Sequence, residues 1–518
     1  MAAVLGGARR KSRFRPRIGL PGTSGTSIPV RNRKGDNVMK LSLSKTACIV
    51  FAFCAATAIM SPAQTKFTWV YSFDGQGAHG GANPGFGNLV QGPDGYLYGT
   101  TEVSVGTEGT VFKISTAGKL KTLYVFCTGG EPCLYGAKPL GGLSLGSNGK
   151  FYGTASLGGS PGDGTVFQIT SAGKLTWLYD FGTTTNGSQP WAPPILAANK
   201  LLYGTTSIGG SANEGTIYEM TTTGTNAASL SFTGKNGVHP YGRLIQATNG
   251  TLYGTTSQLA SGNGTVFAVT ESEGFKTLHK FTGATNGGFL VGGLVQASNG
   301  TFYGTTSTGG AHLSGGTVFS ITAAGTFKTL YSFCAKSSCT NGSTPLASLI
   351  QASDGNLYGT TYNGGANTTS CDGGCGTIFK ITPAGTLTTV YNFCSQSGCT
   401  DGYYPQGGLV QATNGTFYGT TFYGGKSGSA GTVYSLSVGL APFVKVLPTL
   451  GKAGTTAMIL GDNLTGATKV SFNGVPAAFT VVSSTEIEVT VPTGANTGTV
   501  AVVTPGGTLK SNAIFQVD

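Results

Sequence analysis

The chain has 518 residues, room for more than one domain, with 87 glycines and only 10% charged residues. Its aromatic and aliphatic residues recur at regular spacing, which excludes a low-complexity disordered polymer and implies folded repeats. The net charge of +12 is unevenly spread: eleven Lys or Arg and one acid, Asp36, precede Thr46, whereas the remainder holds 20 basic and 18 acidic residues. A nucleic-acid binder carries its cations on the folded surface, so this distribution argues against one and predicts a nearly neutral folded part with a neutral ligand.

Residues 1–38 contain Arg9, Arg10, Lys11, Arg13, Arg15 and Arg17 without an apolar period. They read as an overextended, disordered start, with a basic binding tail as the rival. From Met39 the order changes: Lys40 and Lys45 precede an apolar run from Ala47 to Met60, and Ser61 and Ala63 lead to Gln64. That is the order of a secretory signal peptide, here residues 39–63. The run is shorter than the roughly 20 residues a membrane-spanning helix needs. A mature chain starting near Gln64 is expected, secreted, periplasmic or at the cell surface, with no membrane span.

Two cysteines, Cys48 and Cys54, fall in the signal segment. The other eight form close pairs, Cys127 with Cys133, Cys334 with Cys339, Cys371 with Cys375 and Cys394 with Cys399, and read as disulfides in an exported chain. Zinc is the rival, but no pair has the two-residue spacing of a zinc knuckle and no histidine lies nearby in sequence. No metal or cofactor is expected.

The motif Tyr-Gly-Thr starts at Tyr98, Tyr152, Tyr203, Tyr253, Tyr303, Tyr358 and Tyr418, which defines seven units of 50 to 60 residues. Each unit holds four β-type runs. A Leu-Val-Gln run, as at Leu294, leads through an Asn-Gly or Asp-Gly turn into the Tyr-Gly-Thr strand; such turns supply the positive φ of tight hairpins. After a variable Gly-rich connection comes Gly-Thr-Val-Phe, as at Gly316, whose alternation predicts a half-buried strand. A short turn then leads to a run ending at Phe73, Phe126, Phe181, Phe232, Phe281, Phe333 or Phe393.

The last run is out of phase with the others. One copy, ending at Phe73, precedes the first complete unit, and none follows the seventh. The expected fold is therefore all-β: a seven-bladed β-propeller, four strands per blade, over residues 64–437, in which residues 67–73 complete the blade of residues 409–436. Closure removes exposed sheet edges. An open β-helix is the alternative, though it requires no exchange of end strands.

Gly293 to Thr306, Gly-Leu-Val-Gln-Ala-Ser-Asn-Gly-Thr-Phe-Tyr-Gly-Thr-Thr, with Gly-Gly-Thr-Val-Phe at Gly315 to Phe319, resembles the Gloeobacter/Verrucomicrobia tandem repeat of secreted bacterial proteins over roughly residues 67–437. The third unit departs most, with Asn199-Lys200 at its turn and Pro193-Pro194 before its first strand. The resemblance implies export and repeated β structure and no particular activity. Residues 438–518 resemble an IPT/TIG domain, an immunoglobulin-like sandwich, at Gly461-Asp462-Asn463-Leu464, Val470-Ser471-Phe472-Asn473-Gly474, Thr485-Glu486-Ile487, Val491-Pro492 and Ala513-Ile514-Phe515. Without cysteines, its core must rest on inward residues such as Val470, Phe472, Ile487 and Val502.

The four histidines, His79, His239, His279 and His312, stand in no metal or triad motif. No catalytic residue is assigned, and a lyase using His239 or His312 beside a carboxylate is kept as the alternative to a binding protein. Trp69, Trp177 and Trp191 do not form the tryptophan repeat of quinone-cofactor propellers. In an antiparallel blade, the turns between runs one and two and between three and four share one face, and these are short. The opposite connections are long and variable; they carry all eight paired cysteines and Trp191, Tyr241, Tyr362, Tyr404 and Tyr423. Variable loops on a rigid scaffold are where binding usually resides, so this face is expected to take a glycan or a protein partner.

Overall fold

The computed structural model describes residues 65–518 apart from loop residues 76–80, 104–105, 129–132, 161, 183–185, 259–261, 271–273, 313–314 and 427–429. The expected disordered start, the signal segment and His79 lie outside the described residues. Seven four-stranded antiparallel sheets run from Lys66 to Ser437, and the described helical structure is two 3₁₀ turns, Ser337–Cys339 and Ser397–Cys399. No helix among the described residues is long and apolar enough to cross a membrane. The fifth sheet is representative: Val295–Gln296, Phe302–Thr306, Thr317–Ile321 and Phe327–Ser332 lie side by side in sequence order. The seventh sheet takes its outer strand from the start of the chain, Lys66–Ser72, in antiparallel register with Thr432–Ser437.

The repeat residues have identifiable mechanical roles. The Tyr-Gly-Thr tyrosine bonds the side chain of the preceding turn, as in Tyr98 Oη to Asp94 Oδ2 (2.7 Å) and Asn249 Nδ2 to Tyr253 Oη (3.1 Å), so strand and turn fix each other. Its glycine is needed for space as well as flexibility: a β-carbon on Gly304 would stand 2.5 Å from Cζ of Phe319 on the adjacent strand. The same strand's second threonine shares a buried hydroxyl contact with the threonine of Gly-Thr-Val-Phe, as in Thr306 and Thr317 at 2.9 Å. In the third unit Lys200 adopts φ 69°, so the hairpin survives without its glycine, against a left-handed cost of roughly 1–2 kcal/mol.

The Gly-Thr-Val-Phe strand is more buried than the half-buried strand expected of it. Thr317, Val318, Phe319 and Ile321 are all buried, with Ser320 partly so. The reason is that the strand packs into apolar clusters on both faces, Phe319 and Ile321 with Phe281 and Leu294, and Val318 with Phe333 and Leu357. The Leu-Val-Gln run contributes only a two-residue ladder in six units and three residues, Leu143–Leu145, in the second.

Adjacent sheets are joined in two ways. A phenylalanine ending each outer strand meets the third-strand aromatic of the next sheet at 5.1 to 5.4 Å, from Phe126 on Phe167 through Phe393 on Tyr434, and Phe73 of the seventh sheet meets Phe112 of the first. Glutamines form the second link: Oε1 of Gln246, Gln296, Gln351 and Gln411 accept from backbone N–H of Ala198, Thr248, Ser298 and Ser353 in the preceding unit. Gln91 of the first unit accepts from Thr413 N–H of the seventh at 2.9 Å. Leucines replace this glutamine in the second and third units, where Leu145 and Leu196 pack against neighbouring cores.

The C-terminal module is a sandwich of two four-stranded sheets with a short parallel pair, Leu450–Gly451 and Gln516–Val517. Its separate core includes the expected Val470, Phe472, Ile487 and Val502, each at most 1% exposed. It packs on the short-turn end of the sheets: Thr485 Oγ1 donates to Pro93 O at 2.6 Å, and Phe443 N–H to Thr413 O at 2.9 Å.

Candidate functional site

The segment that enters each first strand contributes residues to the wall of one shared cavity. In six units its proline, and in the fifth Leu290, sits against the glycine that opens the third strand of the preceding unit: a β-carbon on Gly164 would stand 2.5 Å from Cδ of Pro190, and one on Gly431 would stand 2.7 Å from Cδ of Pro84. These contacts position Trp191 after Pro190 and Tyr241 after Pro240. With Phe86 they line one end of a cavity of about 380 Å³, whose walls come from all seven units. Phe86 and Trp191 have ring centroids 5.6 Å apart, and Trp191 and Tyr241 4.6 Å.

Toward the other end stand Arg243 and, from the C-terminal module, Lys445 and Asn512. Arg243 follows Tyr241 by two residues, the spacing that keeps side chains on one side of an extended segment. Arg243 is exposed to the solvent of this space, whereas burial pulls the partly buried Lys445 ammonium down to about 8. Among the described residues neither side chain has a hydrogen-bond or ion-pair partner; the ion pair present is Lys113 with Asp94, elsewhere.

Sequence reading missed Arg243, although a signal was available. It occupies the position held by Asn88, Gly142, Pro194, Gly293, Ser348 and Gly408 in the other six units. A cation where every other copy has an uncharged residue marks the axial position. Lys445 belongs to no repeat and carries no such signal.

The other three expected aromatics form a separate cluster. Tyr362 stacks on Tyr404 at 4.5 Å, and Tyr423 lies 6.3 Å from Tyr404 and 5.6 Å from Tyr403, which sequence reading did not single out. Tyr404 has φ 55°, and its hydroxyl donates to Asp372 O at 3.1 Å. All five expected aromatics are half-buried. The long connections around them are tied together: in every unit the segment before the first strand forms an antiparallel bridge with the connection after the second, from Ala82 with Val103 to Tyr403 with Tyr423. Disulfides Cys127–Cys133, Cys334–Cys339, Cys371–Cys375 and Cys394–Cys399 close loops on the same end. Sγ atoms of Cys371, Cys375 and Cys394 lie within 4.8 Å of one another because two of these disulfides are neighbours.

The histidines occupy structural positions. His239 Nδ1 lies 2.7 Å from Ser207 O, and its ring stacks on Tyr241. His279 stacks on Phe327 at 3.8 Å, and burial lowers its pKa. His312 is exposed. Another cleft, of about 990 Å³, lies between the third and fourth units and the C-terminal module, with Lys200, Tyr203, Glu219, Leu230, Lys452 and Asp518 on its walls.

These features define a tandem-repeat β protein with an immunoglobulin-like module at its C-terminal end. The chain belongs to the Gloeobacter/Verrucomicrobia repeat family, matched over residues 133–296 and 259–475, and its residues 443–517 are an IPT/TIG domain. The repeat match thus begins after the first motif copy and runs beyond residue 437. No curated protein matches the chain. A fungal alcohol oxidase of the AA5 family, solved in complex with copper, is similar in fold with TM-score 0.50 and 12% identity, covering 88% of this chain and 100% of that one. A putative 6-phosphogluconolactonase from Bacteroides uniformis (TM-score 0.39, 17% identity) covers 58% of this chain and 83% of that one. One from Bacteroides fragilis (TM-score 0.41, 18% identity) covers 62% and 87%. At these identities the likeness concerns fold and transfers no activity.

Proposed function

We propose that the seven sheets close into a seven-bladed β-propeller, residues 64–437, followed by an immunoglobulin-like module, residues 438–518. In this reading the exported chain is a non-catalytic binding or cell-surface protein, and the long-connection face takes a glycan or a protein. Closure is supported by the first strand's pairing in the last sheet, by the Gln91–Thr413 and Phe73–Phe112 contacts, and by a cavity with walls from every unit. Export after a signal peptide at residues 39–63 is supported by four short-range disulfides, which persist in oxidising compartments.

One observation carries the choice of face: the C-terminal module packs on the short-turn end, leaving the bridged, disulfide-tied and aromatic end as the opposite surface. The lyase alternative gains nothing from His239, whose ring nitrogen meets a backbone carbonyl instead of a carboxylate. The test is a glycan array and a pull-down with mature protein, followed by Trp191→Ala, Tyr404→Ala and Tyr423→Ala in one chain. The triple variant is expected to lose most binding, with Asn299→Ala and Asp354→Ala nearly neutral. Binding that is lost only in the latter pair refutes the assignment.

A further inference from the structure

The axial cavity joins two features that the overall charge conceals: an aromatic end and a cationic end. We propose that it is a binding site for a carboxylate-bearing monosaccharide, a uronate, with its charged group between Arg243 and Lys445 and its ring toward Trp191 and Tyr241. This inference rests on the closed-ring reading and refines the ligand class, but it does not depend on the Tyr362–Tyr404–Tyr423 cluster.

Two cations face one space, Lys445 partly buried and Arg243 exposed to its solvent, and no Asp or Glu lines it. Partial burial of the Lys445 ammonium without a partner is unfavourable, so an anion entering between it and Arg243 is favoured. Arginine presents a planar fork of donors that matches a carboxylate, and lysine adds a compact charge. Asn512 and Asn88 add polar groups to the wall, although Asn88 Oδ1 already accepts from Gly408 N–H at 2.6 Å.

The ring half of the ligand is argued from spacing. Tyr241 and Arg243 are two residues apart in an extended segment, so their side chains leave the backbone about 6–7 Å apart, close to the width of a sugar ring and its carboxylate. Trp191 and Tyr241 offer apolar faces for the ring's C–H groups, as aromatic side chains with one wet edge do. A volume of about 380 Å³ suits one small ligand; drug-sized ligand pockets run from about 300 to 1,000 Å³. The nearly neutral folded chain predicts a neutral ligand on average, but a site responds to local charge, and here that charge is positive.

The experiment is calorimetric titration of the mature protein with glucuronate, glucose and glucose 6-phosphate, repeated on Arg243→Gln and Lys445→Met. Glucuronate is expected to bind, glucose to bind much more weakly, and each variant to weaken glucuronate by roughly thirtyfold or more. A melting curve without ligand accompanies each variant. Lys445→Met raises the midpoint and Arg243→Gln, at an exposed position, leaves it nearly unchanged, which separates lost binding from lost folding. Glucose binding as tight as glucuronate, preference for the sugar phosphate, no binding of glucuronate, or a lowered midpoint in both ligand-free variants overturns the proposal. A glycan that binds only through Tyr404 and Tyr423 supports the face assignment and, with no glucuronate binding, overturns this inference alone.

Discussion

Lys445 makes stability depend on pH in an unusual direction. Its ammonium faces the axial cavity, and burial lowers its pKa from 10.5 to about 8. Between those values the unfolded chain holds the proton that the folded chain has released, so stability rises with pH there; below the window both states are charged and the penalty is present in full. From neutrality to roughly pH 9.5, the two pKa values give a gain of about 2 kcal/mol. Tyrosines oppose it further up: burial, with a hydrogen bond to Asp94 or Asp401 at two of them, raises Tyr98, Tyr218, Tyr391 and Tyr434 above their ordinary 10.0. Their folded forms keep protons that unfolded phenols lose, so stability falls above about pH 10. Urea unfolding at intervals from neutral to strongly alkaline pH measures both limbs. Wild-type protein should rise and then fall, whereas Lys445→Met should lack the rise and be more stable at neutrality by about 2 kcal/mol. A variant that keeps the rise, or is less stable at neutrality, refutes the reasoning.

Gly304→Ala should cost about 2–3 kcal/mol, because the new carbon would meet Phe319 at 2.5 Å and Leu294 Cδ2 at 3.0 Å. Thermal unfolding measures it, and Phe319→Leu in the same chain should cost less than the two changes separately. Gln351→Leu deprives Ser298 N–H of its 2.8 Å acceptor and Gly355 O of its 3.1 Å donor. A loss of about 1–2 kcal/mol is expected in chemical denaturation; a neutral result would show that leucine packing at this junction, as at Leu145 and Leu196, fully substitutes for the bond.

What the sequence revealed about the fold came from phase as well as composition. The unpaired run ending at Phe73 announced a strand borrowed by the last unit, and the Asx-Gly pairs announced the hairpins. The burial of Thr317 to Ile321 was less legible, because period-two alternation describes one covered face and these strands have two. The interunit role of Gln91 and its counterparts was hidden too, since each partner lies about 50 residues away or, for Thr413, 322 residues away. At the candidate site, richness in aromatic residues pointed to the long-connection end of the sheets but merged two groups. Trp191 and Tyr241 converge on the axis because Pro190 and Pro240 seat on glycines, whereas Tyr362, Tyr404 and Tyr423 meet through loop bridges. Both arrangements depend on three-dimensional contacts that spacing alone does not encode.

The borrowed strand also sets an order of events during synthesis. Lys66–Ser72 is among the first folded segments to be made, yet its partner, Thr432–Ser437, lies about 360 residues later. Until that partner has been translated, the seventh sheet cannot acquire its outer strand, and Phe73 has no completed sheet to belong to. Bringing such distant segments together carries a loop-closure cost and slows folding. The position of one strand therefore ties completion of the last sheet to synthesis of nearly the whole repeat region.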